Sequence, residues 1–258
     1  MVDTEQLAKG YTLVNDTQYN AGLYLLERLG VAEGMHVLDV GCGTGNLTSH
    51  VASLVGEHGK VVGIDPSNER LAIARQSEQS NLTFRQGIAE DLSSFSSHSF
   101  DIVLVNSTLH WVQDQPKAVR EFARVLKSGG RVGISGGSGD FLTAQERIKE
   151  EVLSREPYRQ YPEDSPPKFL KQQELGLLID NAGFATRDIV INKIVKSTKD
   201  ADGMIDWLDT SSSGKTYGGI PPDLRPKARA EMKKQWEEIA REDGIHMDME
   251  LLVTVATK

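Results

Sequence analysis

Three glycines at alternate positions, Gly41, Gly43 and Gly45, follow an apolar run in the stretch VLDVGCGTGN, residues 37–46. A loop without side chains lets backbone approach a ligand closely. Twenty-four positions after Gly41, the stretch VVGIDPS puts an acid, Asp65, at the end of a second apolar run, with Pro66 behind it. A glycine turn after one strand and a carboxylate at the end of the next suit an adenosine, whose ribose hydroxyls the acid can accept. A dinucleotide and an adenosyl cofactor both fit that description. The spacing helps to separate them. A dinucleotide loop reads G-x-G-x-x-G, and its third glycine would fall where Asn46 stands. No Gly-Lys-Ser/Thr follows, so the loop is not a Walker loop either.

The elements that must carry these residues alternate in type. Residues 17–29 space Leu23, Leu26 and Leu29 as a helix does, with Gly30 as a stop signal. Strand patterns follow at 36–41, 60–67, 82–87, 100–106 and 131–135, and helical patterns at 46–55, 68–76 and 116–130. In the last of these, Ala118, Val119, Phe122, Val125 and Leu126 share a face, and Gly129-Gly130 ends it. Alternation of this kind predicts an α/β fold with a doubly wound, mostly parallel, Rossmann-like sheet. After residue 136 the rhythm changes. Helices are expected over 141–156, 170–182 and 223–242, with a short piece around Trp207. Strands are expected over 187–195 and 250–258. The reading is one domain over 1–258. Within it, 1–30 form N-terminal lid helices and 31–136 a cofactor-binding core. Residues 137–169 and 197–226 are cap insertions, and 170–196 and 227–258 return to the core. Tyr158, Tyr161, Phe169, Trp207 and Tyr217 fall in the insertions and suggest an apolar roof over a pocket.

Composition narrows the partners. The chain has 258 residues, enough for a proper core, with 38% hydrophobic and 26% charged residues. Its net charge of −8 argues against a nucleic-acid backbone as partner. The N-terminal stretch MVDTEQLAKG lacks an apolar signal core, and no apolar run is long enough to span a bilayer, so a cytoplasmic protein without a membrane partner is expected. One cysteine, Cys42, excludes an intrachain disulfide and a cysteine metal cluster, and the six histidines show no ligand spacing. No metal site is expected, and the sequence does not fix the oligomeric state.

LDVGCGTGN, VVGIDPS, GIAEDL, FDIVLVNSTLHWV and EFARVLKSGGRV occur in this order, and together they resemble the class I S-adenosylmethionine-dependent methyltransferases. The resemblance covers residues 36–136 closely and 170–258 loosely. Within that family, LHWV at 109–112 looks most like the trans-aconitate and juvenile-hormone-acid methyltransferase branch, which esterifies small carboxylic acids. The resemblance implies S-adenosyl-L-methionine as cofactor and S-adenosyl-L-homocysteine as product. It implies that Gly41, Cys42, Gly43 and Asn46 pass under the methionine moiety, with Asp39 near its amino group. Asp65 would grip the ribose, next to Pro66. Ile88, Ala89 and Glu90 would edge the adenine. Where relatives often carry Asp or Asn, this chain has Ile88, so backbone groups or Glu90 must serve the adenine amino group. Asn106 would face the methionine end. Residues 11–19 resemble an N-terminal lid, from which Gln18 would reach the cofactor.

The implied chemistry is an in-line displacement at the sulfonium carbon, for which the protein aligns the nucleophile and excludes water. A carboxylate acceptor needs no base; a phenol or a protonated amine does, and His110, just after the fourth strand, is the candidate for that catalytic role. Nucleic-acid amino-methyltransferases of this fold usually carry Asn/Asp-Pro-Pro-Tyr/Phe at that point, where this chain has NSTLHW. The expectation is a small-molecule acceptor, with O-methylation of a carboxylate or hydroxyl ahead of N- or C-methylation. A protein of this fold that binds the cofactor and runs another reaction is a further alternative, and a nicotinamide oxidoreductase the nearest rival outside the family.

Overall fold

The computed structural model describes residues 4–14, 16–212 and 214–258. Two helices, α1 (Glu5–Val14) and α2 (Asp16–Leu29), precede the alternating region. That region runs β1 (His36–Val40), α3 (Asn46–Val55), β2 (Lys60–Asp65), α4 (Asn68–Ala74), β3 (Leu82–Gln86), β4 (Phe100–Asn106), α5 (Gln115–Val125) and β5 (Leu126–Gly137). Then follow α6 (Ala144–Leu153), α7 (Gln172–Asn181), β6 (Thr186–Thr198), α8 (Ala201–Ser211), α9 (Arg225–Glu238) and β7 (Ile245–Thr257). The seven strands form one sheet in the order β3-β2-β1-β4-β5-β7-β6. Strands β1 to β5 pair in parallel, and β7 runs antiparallel to β5. The doubly wound, mostly parallel sheet is therefore as the alternation requires. Strand order reverses at β1, between β2 and β4. The loops after β1 and β4 accordingly open a crevice at the strands' carboxyl ends, where ligands of such sheets bind.

Two compact units emerge from the packing. One comprises Asn15–Asp140, Pro167–Asn192 and Leu251–Lys258. Its core joins strand residues such as Leu38, Val103 and Ile134 to Val119, Phe122 and Val125 of α5 and to Leu175 and Ile179 of α7. The α5 helix starts at an Asp114 cap, whose carboxylate accepts the Lys117 N–H at 2.9 Å. It stops at Val125, five residues earlier than its periodicity suggests. Leu126 turns extended and pairs with Phe100, while Lys127 donates to both oxygens of Asp101 at 2.8 Å. The stretch LKSGG therefore begins β5 instead of finishing the helix.

The other unit comprises Met1–Val14, Phe141–Pro166 and Lys193–Glu250. It has its own apolar core, with Tyr158, Met204, Trp207, Met232 and Trp236 buried together. Helix α6 opens with a reciprocal cap: Thr143 Oγ1 accepts the Glu146 N–H, and Glu146 accepts the Thr143 N–H. From α9, Arg229 reaches the carboxylates of Asp202, Asp206 and Asp209. This unit departs from the sequence reading in two ways. Residues 227–250, expected to return to the sheet core, belong largely to the second core. The expected aromatic roof also divides: Tyr158, Trp207 and Tyr217 are buried in that core, Tyr161 is exposed, and Phe169 belongs to the sheet unit.

Candidate functional site

The loop after β1 is held by glycine geometry and by two acids. Gly41, Gly43 and Gly45 all have positive φ, at 79°, 56° and 84°. At Gly41 a Cβ would also stand 2.1 Å from Thr108 Oγ1, so both conformation and space require glycine there. Asp65, nearly buried at the end of β2, ties the loop down. Its Oδ2 accepts the Gly43 N–H and its Oδ1 the Ser67 N–H, both at 2.9 Å. Pro66 leads into α4, which Ser67 caps by accepting from the Arg70 N–H. Asn46 is the first residue of α3.

Asp39 sits beneath the loop, 2% exposed, and accepts the Thr48 hydroxyl at 2.7 Å. Burial pushes its carboxyl up to about 7, against the Thr48 hydrogen bond and with the help of nearby Asp65. Cys42 is buried, and burial together with Asp39 and Asp65 pushes its thiol well above the ordinary range. It is therefore no nucleophile at neutral pH.

Asn106, the last residue of β4, donates from Nδ2 to the Gln18 carbonyl at 2.9 Å, which ties α2 to the strand end. The side-chain oxygens Asn106 Oδ1, Gln18 Oε1 and Thr44 Oγ1 are buried without a hydrogen-bond partner among the described residues. Ser107 follows with φ 53°, an uncommon conformation for a non-glycine residue at a strand end. Such buried, unmatched oxygens are costly unless a ligand donor meets them. Residues 11–19, read as a lid, include Asn15 and side chains at 12–14 that lie outside the description, so only Gln18 and its described neighbours bear on the site.

The segment expected to edge an adenine, residues 88–90, lies after β3. Ile88 is 48% exposed and Ala89 is buried. Glu90 Oε1 accepts the backbone N–H groups of Gln113 and Asp114 at 3.0 and 3.4 Å. That carboxylate anchors the entry to α5.

His110 lies in a single helical turn, Leu109–Trp111, after β4. Its ring stacks on Phe169 with centroids 4.7 Å apart and planes at 28°, and meets Trp111 at 5.0 Å. Desolvation alone pulls its pKa down to about 4, so the imidazole is neutral at physiological pH. Phe169 was expected only as part of an aromatic roof, and Gln115 and Lys168 were not singled out by the sequence, yet all three shape the surroundings of this ring. A small cleft there is lined by Leu109, His110, Gln115, Gly136, Lys168 and Leu170.

Residues 32–183 match a family model described as a methyltransferase domain. The chain belongs to this methyltransferase family. Its cofactor is S-adenosylmethionine, and it is a methyltransferase dependent on that compound. An uncharacterised methyltransferase of Schizosaccharomyces pombe is 28% identical over 257 residues, covering 92% of this chain and 88% of that protein. An arsenite methyltransferase of Aquipseudomonas alcaligenes is 34% identical over 157 residues, covering 57% of this chain. A demethylmenaquinone methyltransferase of Lactococcus lactis is 39% identical over 111 residues, covering 42% of this chain. The chain spans 44% of the length of each of the latter two. Among solved structures, YcgJ of Bacillus subtilis superposes over 93% of this chain and 98% of its own, with a TM-score of 0.63 at 19% identity. That likeness concerns the fold. The unmatched oxygens and the glycine loop at the switch point fit the methyltransferase cofactor. No helix among the described residues is long and apolar enough to cross a membrane.

Proposed function

We propose that this methyltransferase acts on an oxygen of a small molecule, a carboxylate ahead of a hydroxyl. The observation that carries the reading is His110. It stands at the carboxyl end of β4, walled by Trp111 and Phe169, with no hydrogen bond at either ring nitrogen among the described residues and a pKa pulled down to about 4 by burial. A base that weak takes a proton from an ammonium or a carbon acid inefficiently. An oxygen that is already anionic needs no such help, and a neutral imidazole can hold it by one N–H. This is the chemistry of the branch that esterifies small carboxylic acids.

When bound, the cofactor supplies a methyl group on a sulfonium that is its own leaving group. The chain's residues would do the rest. The loop Gly41–Asn46 would hold the methionine end. The oxygens of Gln18 and Asn106, with Asp39, would receive its ammonium. Asp65 would hold the ribose, and the backbone at Ile88 and Ala89 would edge the adenine. The aromatic rings around His110 would exclude water and tolerate a dispersing positive charge beside them.

An arsenite acceptor, as named for one relative, is not supported by the residues here. Trivalent arsenic is a soft, thiol-seeking centre. This chain's one cysteine is buried and holds its proton.

The test uses methyl-labelled S-adenosylmethionine with the protein and an extract of the source organism, split into small-molecule, protein and nucleic-acid fractions. Label in the small-molecule fraction that mild base releases is the expected result. Label in either macromolecular fraction contradicts the acceptor class, and base-stable label in small molecules contradicts the ester.

A further inference from the structure

We propose that residues 167–170 form a strap that positions His110 for the acceptor, with Gln115 as its clamp and Phe169 as the shield that keeps water from the imidazole. The inference rests on the reading that His110 faces the acceptor.

The strap is fixed on both sides. Gln115, 5% exposed at the start of α5, donates its Nε2 to two carbonyls, Leu109 at 3.0 Å and Lys168 at 2.9 Å. One buried amide thus ties the His110 turn to the strap. The Lys168 N–H returns to the His110 carbonyl at 2.7 Å, and Lys168 Nζ donates to the Gln113 carbonyl at 2.7 Å. On the other side, the Gly139 N–H donates to the Leu170 carbonyl at 2.8 Å. Two glycines make room. A Cβ on Gly137 would lie 2.9 Å from the Phe169 ring, and one on Gly139 would lie 2.6 Å from the Phe169 carbonyl oxygen. Neither glycine has a positive φ, so close approach is what calls for them.

The charges around the ring are few. The strap carries Lys168, whose ammonium is engaged with the Gln113 carbonyl. β5 faces the ring with Gly136, a Cβ on which would stand 3.4 Å from Nδ1. α5 contributes the uncharged Gln115. The carboxylates of Glu90 and Asp114 are engaged with backbone N–H groups at 113, 114 and 117. Desolvation, the cause of the low His110 pKa, is thus what Phe169 would supply.

The test is a histidine NMR titration of the cofactor-free protein, with the His110 signal assigned by its loss in His110→Asn. In the wild type the signal stays close to its neutral position from pH 8 down to 5. In Phe169→Ala, and in Gln115→Met, which keeps the bulk and loses the donors, the midpoint moves up by roughly one to two pH units toward the ordinary histidine range. Phe169→Tyr restores the low value. Should the alanine variant fail to fold, Gln115→Met, which leaves Phe169 in place but frees the strap, carries the test. A wild-type His110 that titrates near 6.5, or a folded Phe169→Ala or Gln115→Met variant that titrates as the wild type does, overturns the proposal. No acceptor enters this measurement, so its failure is distinguishable from failure of the labelling experiment.

Discussion

Asp65 Oδ2 accepts the Gly43 N–H at 2.9 Å, so the carboxylate at the end of β2 braces the middle of the glycine loop after β1. The residue proposed to hold the ribose also shapes the loop proposed to hold the methionine end. Its second oxygen accepts the Ser67 N–H and fixes the turn into α4.

Asp65→Ala removes two charge-assisted hydrogen bonds and leaves two backbone donors without their acceptor. Such bonds contribute about 1.5–3 kcal/mol each. Calorimetric titration with S-adenosylmethionine is expected to show affinity at least ~10-fold weaker, together with a lower thermal midpoint. A variant with unchanged affinity would remove Asp65 from the cofactor site.

Gly41→Ala combines a positive φ with a Cβ 2.1 Å from Thr108 Oγ1. The left-handed conformation alone costs about 1–2 kcal/mol. Urea unfolding should show a larger loss than that, and adding Thr108→Ala should recover only the part due to Oγ1 and Cγ2, because Thr108 Cβ would still stand 2.8 Å away. Full recovery would mean that φ imposes no cost.

Asp39 gives a pH dependence with a definite sign. Its pKa rises from 3.8 to about 7 on folding, mainly through burial. Between these values the folded state binds a proton that the unfolded state has released. Stability from this group is therefore fully present below the unfolded value and is lost as pH rises toward 7. Denaturation midpoints of the wild type should decline from pH 5 to 7.5 relative to Asp39→Asn, which cannot titrate. Parallel profiles would show that Asp39 is ionised in the folded protein throughout.

His110→Ala should lower turnover steeply while S-adenosylmethionine affinity holds. With a pKa of about 4 in the free protein, the imidazole adds no limb to the kcat/KM profile between pH 6 and 8. Unchanged turnover would remove His110 from the mechanism.

The sheet was legible because each strand carries its own apolar run, and the glycine loop and Asp65 because their residue types have few other uses at those spacings. The start of β5 was not, since LKSGG continues the apolar face of α5 until Leu126 pairs with Phe100. The second unit assembles segments distant in the chain: Gly10 of α1 packs so closely on Thr210 of α8 that a Cβ would lie 2.9 Å from it. Local periodicity carries no trace of such pairing. The Phe169–His110 stack joins residues 59 positions apart, and Gln115 looks like any polar residue at a helix start. Glu90 shows the converse. Its acid was legible, but its bond to the 113–114 backbone was not.

The most direct measurement is the 13C NMR spectrum of the small-molecule product formed from S-adenosylmethionine carrying a 13C-methyl group. The carbon shift distinguishes methyl bound to oxygen, nitrogen or carbon. A methyl resonance in the range of an ester or ether is the predicted result. A methyl on nitrogen or carbon would contradict the account.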